Sequence, residues 1–126
     1  MSDFTNPTPI ATREQYRAAI LAARTRMTPL QLAMLQAHCR AAEHSISTNR
    51  LAELLHLPTA GAAKAAYGKY AHCLADELKY VPEAPQSRDC WWLALAYGRA
   101  DGKVDGDYEW IMRPELVETL QAMKWA

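Results

Sequence analysis

With 126 residues, the chain is long enough to bury one core and too short for two. Half of it is apolar and 22% is charged, the balance of a soluble globular domain. Fourteen Lys and Arg meet fourteen Asp and Glu, so net charge gives no general attraction to nucleic acid, membrane or acidic substrate, and any such surface has to come from local clustering.

The start, "MSDFTNPTPIATREQ", has no basic segment followed by an apolar run, and no later stretch approaches the length needed to cross a bilayer. A cytoplasmic protein without a membrane partner is expected. Cys39, Cys73 and Cys90 are odd in number and far apart, which suits reduced thiols and not a disulfide framework or a CxxC knuckle. His38, Cys39 and His44 are the nearest approach to a ligand set, but adjacent side chains diverge on a helix and no second pair follows. No metal and no cofactor are expected.

Residues 1–11 hold two prolines and little pattern and read as a loose tail. In "TREQ", Thr12 supplies an N-cap and Gln15 its reciprocal partner, opening a helix with Tyr16, Ala19, Ile20 and Ala23 on its apolar face. Arg13, Arg17, Arg24 and Arg26 cluster on the same segment, as a solvated face or a phosphate-contacting one. "TPLQ" at 28–31 repeats the cap with Pro29 in the first turn, where its missing amide costs nothing; Leu32, Leu35 and Cys39 then point inward. "SISTNRLAELLHL" starts a third helix after Ser47, with Leu51, Leu54 and Leu55 on one side, and Pro58 and Thr59 end it. "TAGAAKAAYGKYAHCLADELKY" resumes helical spacing through Ala63, Ala66, Tyr67, Tyr70, Leu74 and Leu78, leaving Lys64, Lys69, His72 and Asp76 on the other side.

Two helices across a tight break, the second rich in small residues, read as a helix-turn-helix. Ala62, Ala65 and Gly68 would let the backbone of the second approach a major groove closely. An ordinary helical hairpin packed through its alanines fits the same spacing.

"VPEAPQSRD" is a polar connection to "DCWWLALAYGRADGKVDGDYEWIMRPEL". On an EF-hand template Asp101, Asp105 and Gly106 fall in place, but Lys103 and Met112 stand where oxygen ligands are required, so calcium is not expected. A helical hairpin is opposed by Pro114, which disfavours the α conformation at Arg113. The remaining reading is a β-hairpin: Trp91, Leu93, Leu95 and Tyr97 share one face of a strand from Trp91 to Arg99, and Tyr108, Trp110 and Met112 share one face of the return. On a strand Trp91 and Trp92 point to opposite sides. Trp92 is therefore a candidate for stacking on a base or a partner side chain, unless the last helix covers it. That helix begins at Pro114, with Leu116, Val117, Leu120 and Met123 inward.

The last three of these four helices, followed by a hairpin, give the expected fold class: mainly α with a small β-hairpin, α+β, winged helix-turn-helix-like, over residues 12–126. Arg50, Lys64, Lys69, Arg99 and Lys103 are the candidate DNA-binding residues, each a phosphate contact adding to salt-sensitive affinity. Asp101, Asp105 and Asp107 oppose a basic wing tip.

At "AKAAYGKYAHCLADEL", and again at "WWLALA" followed by "YEWIMRPELVETLQAMKW", the chain resembles a module associated with bacterial HNH restriction endonucleases acting on modified DNA. The resemblance spans roughly residues 12–126 and rests on the Tyr-Gly-Lys and Trp-x-Met-Arg-Pro-Glu-Leu elements. It implies DNA binding, with sensing of a modified base, and no nuclease chemistry, because an HNH-type constellation of His, Asn and His is missing.

Other catalytic signatures are missing too: no Gly-rich phosphate loop, no GxSxG elbow. His72 and Cys73 point about 100° apart on a helix, so they do not form a nucleophile-base pair. No catalytic residue is expected. The leading expectation is a small non-catalytic protein that binds double-stranded DNA, in transcriptional regulation or restriction-modification. The alternative is a protein-protein interaction adaptor or an inhibitor of phage or bacterial origin, for which a neutral surface with exposed aromatics is suited. A homodimer is compatible with either.

Overall fold

The computed structural model describes residues 8–81, 91–104 and 107–126, with the backbone alone at 99–104 and 107–108. It is mainly helical, with a small three-stranded antiparallel sheet.

Two helices start as the capping motifs predict. Thr12 Oγ1 accepts from the Gln15 amide at 3.1 Å while Gln15 Oε1 accepts from the Thr12 amide at 2.7 Å, opening α1 at Arg13–Ala23. Thr28 and Gln31 repeat the exchange at 3.1 and 2.9 Å, opening α2 at Pro29–Arg40. Helix α1 buries Tyr16, Ala19, Ile20 and Ala23, the face read from spacing. Helix α2 is rotated from its expected face: it buries Gln31, Met34 and His38 beside Leu35 and Cys39, and Leu32 is half-buried. Polar groups can be taken inside when they are partnered. Gln31 is partnered twice, because the Nε2 left over from its capping role donates to the Ala66 carbonyl at 3.1 Å.

A short 3-10 turn at Ala42–His44, with Glu43 and His44 both at φ 57°, leads into β1, Ser45–Ser47. At three residues this strand is too short for alternation to announce it. Helix α3, Thr48–Leu54, takes Ser47 as its N-cap and buries Thr48, Leu51 and Ala52, while Leu54 lies exposed. It closes with His56 in the left-handed region at φ 56° and the Leu57 amide reaching back to the Ala52 carbonyl at 2.8 Å, a terminal geometry that glycine more often occupies. Thr59 then caps α4, Ala60–Leu78, which ends at Lys79 with φ 57°.

Strand β2, Ala96–Val104, and β3, Asp107–Met112, complete a sheet of order β1-β3-β2. Trp110 in the central strand has Ile46 on one side and Gly98 on the other, and the β2-β3 register breaks between Gly98 and Lys103. Helix α5, Pro114–Ala122, starts at the expected proline and buries Leu116, Val117, Thr119 and Leu120, with Met123 partly covered. Helix α1 packs against α4 and α5.

Two expectations are corrected. The strand predicted from Trp91 begins instead at Ala96, and Trp91–Ala94 forms a 3-10 turn. The carbonyls there have partners outside the ladder: Leu93 O accepts from Arg113 Nε at 2.9 Å, Ala94 O from the Tyr16 hydroxyl at 2.8 Å, and Trp92 O from the Leu95 amide at 2.9 Å. Trp92 through Ala96 are therefore buried in an unbroken run, and the two-residue alternation read there does not exist. The second correction concerns the tail. Residues 8–11 are fastened to the core, since the Thr8 carbonyl accepts from Arg113 Nη1 at 3.0 Å and Ala11 is buried; residues 1–7 lie outside the described ones.

Among the described residues no helix is long and apolar enough to cross a membrane, and no group of three His, Cys, Asp or Glu is placed to hold a metal ion. Cys39 and Cys73 are free thiols, and burial pushes the Cys39 thiol up; Cys90 lies outside the described residues.

Candidate functional site

Helix α4 turns one face inward through Ala63, Tyr67, Tyr70, Ala71, Leu74 and Ala75. At about 100° per residue, Gly61, Ala65, Gly68 and His72 form a row on another face, with Lys64 and Lys69 on its two flanks. All six line a cleft of about 490 Å³, whose remaining lining is Trp91, Trp92 and Trp110. The floor is thus small and the wall aromatic. No acidic residue occurs in the sequence between Glu53 and Asp76, so this stretch of helix is positive in a chain that is neutral as a whole.

The tryptophans are held in different ways. Trp92 is 8% exposed and stacks on Trp110, with ring centroids 5.4 Å apart and an interplanar angle of 20°. Trp91 is half-buried and stacks on His72 at 4.0 Å and 9°, while His72 Nε2 lies 3.7 Å from Asp76 Oδ1. Trp92 is accordingly not the open ring that a strand would have made it: the 3-10 turn directs it against Trp110, and Trp91 is the more accessible of the pair.

Behind the wall, Trp110 is fixed by a buried polar relay. Its carbonyl lies 2.8 Å from His38 Nε2, and His38 Nδ1 lies 2.8 Å from the Tyr67 hydroxyl. A carbonyl only accepts, so Nε2 carries the proton and donates; Nδ1 then accepts from the Tyr67 hydroxyl. Burial pulls the His38 pKa down to about 4 and pushes the Tyr67 phenol well up, so both remain neutral near pH 7 and the donor directions are fixed. The ring of Tyr67 also sits 5.9 Å from that of Trp110.

Gly68 is set apart by its surroundings. A Cβ there meets nothing within 4 Å among the described residues beyond its own stretch of helix, so their packing does not demand glycine, although glycine inside a helix costs about 1 kcal/mol relative to alanine. The room it leaves adds to the cleft.

Of the residues singled out in the sequence, Lys64, Lys69 and Trp92 come together here. Arg50 does not: it lies on α3 and pairs with Glu53 at 3.0 Å, both side chains exposed. Arg99 and Lys103 fall on β2, and their side chains lie outside the described ones. In the α1 cluster, Arg13 faces Glu118 at 3.6 Å and Arg26 faces Glu77 at 2.5 Å, which offsets part of its charge. Helical spacing puts His72 on the side of the lysines, but it does not announce Trp91 and Trp110 there, since only the 3-10 turn and the register of β3 bring the tryptophans beside α4. Compared with known proteins, the chain matches no protein-family model, no curated protein and no solved structure.

Proposed function

We propose that this chain is a small, non-catalytic winged helix-turn-helix protein that binds double-stranded DNA, with α4 as the helix that enters the major groove. The observation that carries the reading is the face of α4 from Gly61 to His72, which holds no acidic residue and where Lys64 and Lys69 flank a row of small residues. Small side chains permit close approach to base edges and lysines supply phosphate contacts. The order of elements supports it: α2, β1, α3, α4, β2 and β3 follow one another, α3 and α4 meet across a tight turn, and the sheet order is β1-β3-β2. In this reading the β2-β3 hairpin is the wing. The motif resemblance at Tyr67-Gly68-Lys69 and Trp110 to Leu116 favours a role toward foreign or modified DNA.

A mobility-shift assay with random-sequence duplexes, methylated and unmethylated, at low and moderate salt tests this. Binding that weakens with salt and is lost in the Lys64→Ala, Lys69→Ala double variant is the expected result. A wild-type protein that binds no duplex at low salt overturns the reading and leaves the protein-adaptor alternative in its place.

A further inference from the structure

The cleft beside α4 is more than the flat face a groove-binding helix needs. We propose that it is also a binding site for a small planar aromatic anion, whose ring lies against the tryptophan wall and whose charge is held by Lys64 and Lys69, and that its occupancy excludes DNA. The regulatory half of this inference rests on the DNA-binding reading; the ligand half does not.

Three observations carry it. A volume of about 490 Å³ lies within the range of roughly 300–1,000 Å³ found for small-molecule sites, which combine aromatic lining with a few convergent polar groups. The lining has that composition: the half-buried Trp91, backed by the buried Trp92 and Trp110, supplies the aromatic part, Lys64 and Lys69 supply positive charge, and among the described residues no carboxylate lines it. Among the described residues neither lysine has an ion pair. Third, Gly68 leaves space: beyond its own stretch of helix, no atom of the described residues lies within 4 Å of where its Cβ would stand. A cation-lined aromatic cleft favours an anion over its neutral analogue, and a flat ring matches a wall made of indoles.

Two sources share this chemistry, a nucleoside monophosphate and an aromatic carboxylate. The probes are therefore AMP and 1-naphthoate, with adenosine and 1-naphthylmethanol as neutral counterparts. Three of the four tryptophans line the cleft, so quenching of intrinsic fluorescence reads occupancy directly. Saturable quenching by one of the anions with a Kd of about 1 mM or tighter is expected, with its neutral counterpart at least about tenfold weaker. Gly68→Leu, which fills the cleft, is expected to weaken binding at least about tenfold, and Gly68→Ala to weaken it less; unchanged circular dichroism shows that both fold. Quenching by neither anion, or equal binding by Gly68→Leu, overturns the ligand site whatever the mobility shift shows. If the anion binds and a bound duplex is not displaced by it, the regulatory half is overturned and the site stands. Absence of duplex binding at low salt refutes the DNA reading, and the regulatory half with it, while quenching still decides the site.

Discussion

His38 accepts the hydroxyl proton of Tyr67 at 2.8 Å and donates its own to the carbonyl of Trp110, tying α2, α4 and the central strand into one buried relay. Tyr67→Phe keeps the ring and leaves His38 Nδ1 without its donor. A buried acceptor left unmade costs about 1–3 kcal/mol. Urea denaturation at pH 7 is expected to show that loss, with an unchanged slope against denaturant, because the surface buried on folding is the same.

The same relay sets a pH dependence. Burial holds the folded-state pKa of His38 at about 4, below its ordinary 6.5, so between these values the unfolded chain binds the proton and the folded one does not. Stability contributed by this residue is fully present above pH 6.5, falls as pH drops toward 4 and levels off below. The total decline is about 3 kcal/mol for one group. In His38→Gln, which cannot titrate, the difference in stability between pH 7 and pH 4.5 is expected to shrink by most of that amount. An equal decline in both proteins would assign it to other groups.

Arg113 is 3% exposed and spans two segments, donating from Nε to Leu93 and from Nη1 to Thr8, with its guanidinium 6.0 Å from the Tyr97 ring. Arg113→Met fills the volume and abandons both carbonyls. A loss of about 3 kcal/mol is expected, together with faster amide exchange and proteolysis near Thr8. Lysine cannot reproduce the fork of donors, so Arg113→Lys is expected to restore little.

Gly68→Ala is expected to stabilise the protein by up to about 1 kcal/mol, since a methyl group there meets no neighbour and alanine is the better helix former. Thermal denaturation monitored by circular dichroism checks this; a lower midpoint would mean that glycine is required by the fold.

If α4 contacts phosphates, replacing Lys64 and Lys69 together lowers the slope of log K against log salt by about 2, near 0.9 per contact. Arg50, already paired with Glu53 and not among the residues that line the cleft, is expected to change the slope by less than either lysine. Fluorescence anisotropy across a salt series measures both.

What the sequence determined by itself is local. The capping boxes at Thr12 and Thr28, the Ser47 cap, the break before Thr59 and the start of α5 at Pro114 are each satisfied within about one helical turn, so residue type and spacing suffice to place them. The inward face of α1 and the placement of Trp110 and Met112 on one side of β3 follow from periodicity for the same reason. Tertiary structure decided the rest. The 3-10 turn at Trp91 is held by Tyr16 and Arg113, 78 and 20 residues distant from the carbonyls they bond, and the buried face of α2 is set by His38 reaching Trp110, 72 residues away. Strand β1 exists through its pairing with β3. Which tryptophan is stacked inside and which stands beside the lysines was decided by those distant partners, because the Tyr16 hydroxyl and the Arg113 guanidinium satisfy the Ala94 and Leu93 carbonyls in a turn outside the β-ladder.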